Sequence, residues 1–266
     1  MLYREGPVRD FAMDSLSRSA IGSLISFKDC REDDLTYVTI NAGDGGSFQA
    51  YQAAPLGGSA VPGIVLIQEV FGVNKVMRDL ADGFAADGYS VLCPDIFWRI
   101  EPGVDITDQS QAEWDKAFDL FGKFDTDKGV DDLAATLAHL RALPNCNGRV
   151  GSVGYCLGGK LAYLMATRTD ADCNVSYYGV GLESLLDESG KINTPYLSHI
   201  AAKDGFVPPE AQAAINARLR GHPHCTVHTY DDQDHAFARL GGEHYDKGAA
   251  DRANGRTAAF FKSHLG

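Results

Sequence analysis

"RVGSVGYCLGGK", Arg149 to Lys160, runs from an apolar stretch into a glycine-rich turn with a cysteine at its tip. The first half reads as a buried strand, and the residues from Leu157 onward read as the start of a helix. Gly154-Tyr155-Cys156-Leu157-Gly158 has the G-x-nucleophile-x-G spacing of a nucleophile elbow, with Cys in place of Ser. The glycines have a steric reason: such a turn is strained, and a side chain at either position would strike the neighbouring strand and helix. A helix beginning at Leu157 would lower the thiol pKa and aim backbone N–H groups at a developing oxyanion. Taken alone, the pentapeptide also fits a buried cysteine in a glycine turn, so the surrounding chain has to decide between the two.

Outward from this turn, "VPGIVLIQEV", "YSVLCPDIF", "VSYYGVG", "PYLSHIAA" and "CTVHTYDD" are nearly continuous apolar runs that alternate with longer segments of helical period. Runs apolar on both faces suit the central strands of a parallel sheet. In "DKGVDDLAATLAHLRAL", Val130, Leu133, Leu137 and Leu140 fall on one helical face and Asp131, Asp132 and Arg141 on the other, so this helix is expected to cover the sheet. Tyr245 to Leu265 reads as a closing helix. Ahead of the parallel rhythm, "LTYVTI", "NAGDGG" and "SFQAYQAAP" have the pattern of an antiparallel hairpin. Residues 35–266 are therefore read as one α/β domain: a doubly wound, mostly parallel sheet with an antiparallel N-terminal hairpin. Residues 1–34 are read as a poorly ordered or loosely docked extension, since Glu5, Asp10 and Asp14 count against a transit peptide.

The 266-residue chain carries a formal net charge of −12, with its Lys and Arg scattered. That balance argues against nucleic acid as a partner, and an anionic substrate would need arginines placed in the site to overcome the overall field. No stretch approaches the roughly 20 apolar residues of a membrane helix, so a soluble, cytoplasmic protein is expected. It is expected to be a monomer, with a homodimer left open. The six cysteines form neither a C-x-x-C pair nor a His/Cys cluster, so no metal site or redox dithiol is expected.

In open α/β sheets reactive groups collect beyond the C-terminal ends of strands. Asp204, in "SHIAAKDGFVPP", and His235, in "YDDQDHAFAR", both lie there, and they follow Cys156 in the order nucleophile, acid, histidine. Asp231, Asp232 and Asp234 compete with Asp204 but read as a solvated turn. Glu69 ends the strand in "VLIQEVFGVN", where an unpaired carboxylate would be costly. Arg99 and Arg239 follow two other strand ends and could converge on the same mouth. Each could equally be a surface residue paired with one of the 36 acids.

Six motifs, "QEVFGVN", "CPDIFWR", "VGYCLGG", "SYYGVGLE", "KDGFVPP" and "HAFAR", resemble in order and spacing the dienelactone hydrolases (carboxymethylenebutenolidases) of the α/β-hydrolase superfamily, over roughly Leu35 to Leu265. The resemblance implies Cys156 as nucleophile, His235 as its base, Asp204 as the group orienting the imidazole, and Glu69 as a thiol-activating carboxylate. It also implies that Arg99 and Arg239 hold the substrate carboxylate and that the N–H groups of Val70 and Leu157 form the oxyanion hole. The implied substrate is a small anionic lactone, dienelactone, opened to maleylacetate in aromatic or chloroaromatic breakdown without metal or organic cofactor. A related carboxylesterase, thioesterase or lactonase is the alternative, and a non-catalytic binding protein the more distant one. Phe97 and Trp98 stand where Tyr and Ala are common in the family, and Asp234-His235-Ala236 where Gly-His-Ser is expected. These departures bear on which lactone fits and on the working pH of His235.

Overall fold

The structure, a computed structural model, describes residues 36–57 and 59–266; the extension read over 1–34 lies outside the described residues. One eight-stranded sheet organises them, comprising β1 (Tyr37–Asn41), β2 (Ser47–Ala53), β3 (Val61–Ile67), β4 (Ser90–Pro94), β5 (Cys146–Tyr155), β6 (Asn174–Tyr177), β7 (Tyr196–Ala201) and β8 (Cys225–Tyr230). Their spatial order is β1-β2-β4-β3-β5-β6-β7-β8. The first two strands form the antiparallel hairpin, β2 runs antiparallel to β4, and every later pairing is parallel. The pattern of burial follows from this placement. Strands β4, β6 and β7 are buried along their whole length, as continuous apolar runs require, whereas β1 and β2 keep exposed positions along their length.

Among the described residues, six α-helices pack around the sheet: α1 (Lys75–Ala86), α2 (Gln111–Lys123), α3 (Thr126–Ala142), α4 (Leu157–Arg168), α5 (Pro209–Leu219) and α6 (Lys247–Leu265). Asn74 caps α1 by accepting from the Met77 N–H, and Asp125 caps α3 through the N–H groups of Asp127 and Lys128. The start of α2 is a capping box, in which the Ser110 hydroxyl accepts from the Glu113 N–H and donates back to the Glu113 carboxylate. The Glu113 carboxylate also accepts from the Thr107 N–H, tying the loop before the helix to its first turn.

Helix α3 buries Val130, Leu133, Leu137 and Leu140 as its periodicity predicts. Asp132 departs from the expected outward face: it is 1% exposed. Its carboxylate accepts from Trp98 Nε1 at 2.7 Å and from Arg99 at 2.8 and 3.0 Å, and such full pairing is what lets a carboxylate sit inside.

The sheet order also locates the site. From β3 the chain crosses over α1 to β4 on one side, and from β5 it crosses over α4 to β6 on the other. Crossovers that diverge in this way leave a crevice beyond the C-terminal ends of β3 and β5. In the ladder joining these strands Ile67 pairs with Gly154, so Glu69 and Cys156 each stand two residues beyond the same rung.

Candidate active site

Cys156 occupies the turn between β5 and α4 with φ 57° and ψ −116°, a backbone conformation that costs a non-glycine residue about 1–3 kcal/mol. The elbow closes only because its neighbours lack side chains. A Cβ on Gly154 would lie 1.9 Å from the Gly158 carbonyl oxygen, and one on Gly158 would lie 2.3 Å from the Ile67 carbonyl oxygen. Cys156 N–H donates to the Tyr177 carbonyl of β6, so the strained turn is fixed to the adjacent strand. Leu157 is the first residue of α4, and its N–H has no acceptor within the helix.

Asp204 follows β7 and His235 follows β8, and the two meet with Nδ1 2.8 Å from Oδ2. A carboxylate only accepts, so Nδ1 carries the proton and Nε2 is left as the basic nitrogen. The other Asp204 oxygen accepts from the Phe206 N–H, which fixes the carboxylate's orientation. Both residues are buried. Burial works to lower the His235 pKa, but the Cys156 sulfur, within hydrogen-bonding reach, and the Asp204 carboxylate outweigh it and push the imidazole up to about 10. Asp231 and Asp232 are exposed. Asp234 has a local part, accepting from the N–H groups of His235 and Gly205.

Glu69 and Arg239 form a second buried pair, with Arg239 Nη1 3.2 Å from Glu69 Oε2. Glu69 Oε1 is buried without a hydrogen-bond partner among the described residues, so in this state the carboxylate bonds the guanidinium and not the thiol. Arg239 lies over the Phe71 ring at 5.0 Å and donates from Nη2 to Asp108 at 2.7 Å. Burial opposes its charge, yet Glu69 and Asp108 together hold its pKa above the ordinary arginine value.

A cavity of about 260 Å³ joins these groups. Cys156, His235, Arg239 and Val70 line it, with Phe71, Trp114, Phe118, Phe121, Val180, Gly181, Glu183 and Phe206 completing the wall. Val70 and Leu157 thus flank Cys156, Val70 on the cavity wall and Leu157 at the helix start. The structure brings Cys156, Asp204, His235, Glu69 and Arg239 to one place.

It does not bring Arg99 there. The Arg99 guanidinium makes four hydrogen bonds, two to Asp132 and two to Asp44, and lies 4.3 Å from the Trp98 ring centroid. It borders a separate cavity with Trp98, Phe124 and Asp132. This corrects the expectation of a two-arginine clamp. The position after β4 is as expected, but the buried Asp132 carboxylate needs a cation and takes the side chain away from the mouth.

Sequence reasoning missed the apolar wall. Trp114, Phe118 and Phe121 of α2 stand at i, i+4 and i+7, a spacing that puts them on one helical face and could have been noticed. Trp114 stacks on Phe118 at 5.5 Å, and Phe206 approaches the His235 ring edge-to-face at 4.8 Å. Phe118, Phe121 and Phe206 remain partly open to solvent at the rim. Tyr178 was missed too: it sits at φ 37°, its ring packs 5.1 Å from that of His235, and its hydroxyl has no partner among the described residues.

The model of the dienelactone hydrolase family matches residues 48–265. A protein of Azospirillum brasilense, named provisionally as a carboxymethylenebutenolidase, is 52% identical over 242 residues, covering 87% of this chain and all of its own length. The carboxymethylenebutenolidase of Pseudomonas putida is 39% identical, covering 84% of this chain and 94% of its own. Among solved structures, one from Klebsiella pneumoniae, named provisionally as a dienelactone hydrolase, superposes with a TM-score of 0.74 at 25% identity over 85% of this chain and 97% of its own. By sequence and by fold, the chain belongs to the dienelactone hydrolase family and is a hydrolase of the α/β-hydrolase fold.

Proposed function

We propose that the protein hydrolyses dienelactone, or a close carboxylate-bearing lactone, through a Cys156 thioester. The observation that carries this reading is the line Cys156, His235, Asp204 opening into the same small cavity as the buried Arg239. Arg239 receives the substrate carboxylate, and the lactone carbonyl is set against the sulfur. Glu69, released from Arg239, takes the thiol proton. The thiolate adds to the carbonyl carbon, and the oxyanion is held by the N–H groups of Leu157 and Val70. The ring C–O bond then breaks, and the enolate that leaves takes the proton held by Glu69 and tautomerises to the ketone of maleylacetate. Water, deprotonated by His235 Nε2, attacks the thioester carbonyl and releases the second carboxylate with Cys156 restored as a thiol.

The five described cysteines, Cys156 included, are free thiols, which suits work in a reducing cytoplasm. A place in the breakdown of aromatic or chloroaromatic rings follows from the substrate. The withdrawal of Arg99 favours a second reading, a related esterase, thioesterase or lactonase whose carboxylate is held by Arg239 alone. The loss of dienelactone absorbance, run beside one uncharged and one carboxylated nitrophenyl ester and repeated with Cys156→Ala, separates the two. Rapid loss of dienelactone, weak ester turnover and an inactive variant support the first reading. Consumption of other carboxylated esters with dienelactone untouched supports the second.

A further inference from the structure

Arg239 is one cation held between two carboxylates, Glu69 on Nη1 and Asp108 on Nη2. The guanidinium is 9% exposed and the Asp108 side chain 11%, so both charges are largely removed from water. Arg239, Glu69 and Asp108 together carry one more negative charge than positive, and Glu183 on the cavity wall adds another carboxylate, so a carboxylate arriving from solution meets repulsion. The contact with Asp108 is also geometrically incomplete. Nε and Nη2 share one edge of the guanidinium, an edge that suits a two-oxygen carboxylate, yet Asp108 engages Nη2 alone and Nε is buried without a partner. Gly242 lies against that edge, and any side chain there would crowd it: a Cβ would lie 2.8 Å from Nε.

Asp108 sits on the loop that leads into α2 rather than on the sheet. Its backbone carbonyl accepts from Trp114 Nε1 at 3.1 Å, and its Oδ1 accepts from the exposed Gln109 side chain. It can therefore leave Arg239 by a loop movement that keeps β3, β5 and the elbow intact, whereas Glu69, two residues beyond the end of β3, leaves Arg239 by turning its side chain toward the sulfur.

We propose that Asp108 is a resident carboxylate occupying the anion seat of Arg239, and that substrate binds by displacing it. This rests on the reading of Arg239 as the group that receives a substrate carboxylate. An incoming carboxylate that bonds both Nε and Nη2 replaces a one-point contact with a two-point one. Molecules lacking a carboxylate cannot make that exchange and leave Asp108 seated. Asp108 thus sets the selectivity for anionic over neutral substrates at the cost of apparent affinity.

The test compares the full chain with Asp108→Asn, which keeps the shape and removes the charge, and with Asp108→Glu, which keeps the charge. Trp114 is bonded to the Asp108 carbonyl, so its fluorescence follows the seat, and glutarate can be titrated without any turnover. If Asp108 is seated about nine-tenths of the time, Asp108→Asn binds glutarate roughly tenfold more tightly. KM for dienelactone falls by a similar factor, KM for a neutral nitrophenyl ester moves far less, and Asp108→Glu stays near wild type. Equal or weaker glutarate binding by Asp108→Asn, at unchanged melting temperature, overturns the proposal. Turnover of dienelactone by the wild type with the same KM in Asp108→Asn overturns it as well, while leaving the hydrolase reading in place. A wild type inert toward dienelactone, whose Asp108→Asn variant still gains glutarate affinity, overturns the dienelactone reading and supports the displacement.

Discussion

Arg99 is bonded through both Nε and Nη2 to Asp132, a carboxylate that is almost wholly buried. Removing the arginine leaves that carboxylate with Trp98 as its remaining side-chain partner, and uncompensated buried charges of this kind cost about 3–5 kcal/mol. Arg99→Ala should therefore lower the urea midpoint sharply and leave KM for dienelactone near the wild-type value. Arg239→Ala should also cost stability, because it leaves the buried Glu69 carboxylate without its cation, but unlike Arg99→Ala it should in addition raise KM by roughly 30-fold through loss of a charged hydrogen bond. A large KM effect from Arg99→Ala at unchanged stability would restore the two-arginine clamp.

Asp204→Asn tests the orientation of the imidazole. The amide can donate to Nδ1 and so favours the tautomer with its basic nitrogen turned away from Cys156. A fall of about 10³–10⁴ in kcat is expected with the fold intact, by analogy with serine triads. Near-normal activity would mean that His235 takes its orientation from elsewhere.

The raised His235 pKa makes a statement about stability. A group that holds its proton more tightly in the folded than in the unfolded chain stabilises the fold fully below its unfolded pKa, near 6.5, and that contribution is lost as pH rises through about 10. The melting temperature should decline across this window, and Cys156→Ala, which removes the sulfur that raises the pKa, should flatten the decline. An identical slope in wild type and variant would show that other groups control it.

At the cavity rim, Phe206→Ala removes the ring packed edge-to-face on His235, a contact worth about 0.5–1.5 kcal/mol. Since Phe206 is 49% exposed, the loss should appear mainly as a lower kcat/KM and hardly in the melting temperature. A large stability loss would instead make it a structural residue.

The parallel strands were legible because they are apolar on both faces. The elbow was legible because its glycines flank a cysteine at the end of an apolar run and an acid and a histidine follow at later strand ends. Asp204 and His235 could be found because strand ends fix where short side chains go. Arg99 could not be placed by the same rule, since a long side chain follows its partners, and Asp44 and Asp132 come from segments far away in sequence. Asp132 itself was assigned to the wrong face of α3 because periodicity weighs charge as exposure. Asp108 gave no signal at all: a loop carboxylate becomes meaningful only when folding sets it against Arg239.

Glu69 and Cys156 stand the same number of residues past one rung of the β3–β5 ladder. Their relative position is thus inherited from main-chain hydrogen bonds, which are indifferent to side-chain identity. Much of the apolar cavity wall comes instead from α2, whose Trp114, Phe118 and Phe121 belong to none of the strand ends that carry Cys156, Asp204, His235 and Glu69. Reactivity and selectivity are in this way housed in separate parts of the molecule. Substitutions in α2 or at residue 108 can retune what is hydrolysed while the distance between acid and sulfur stays constant, so a lineage built on this fold can explore new substrates without first losing its chemistry.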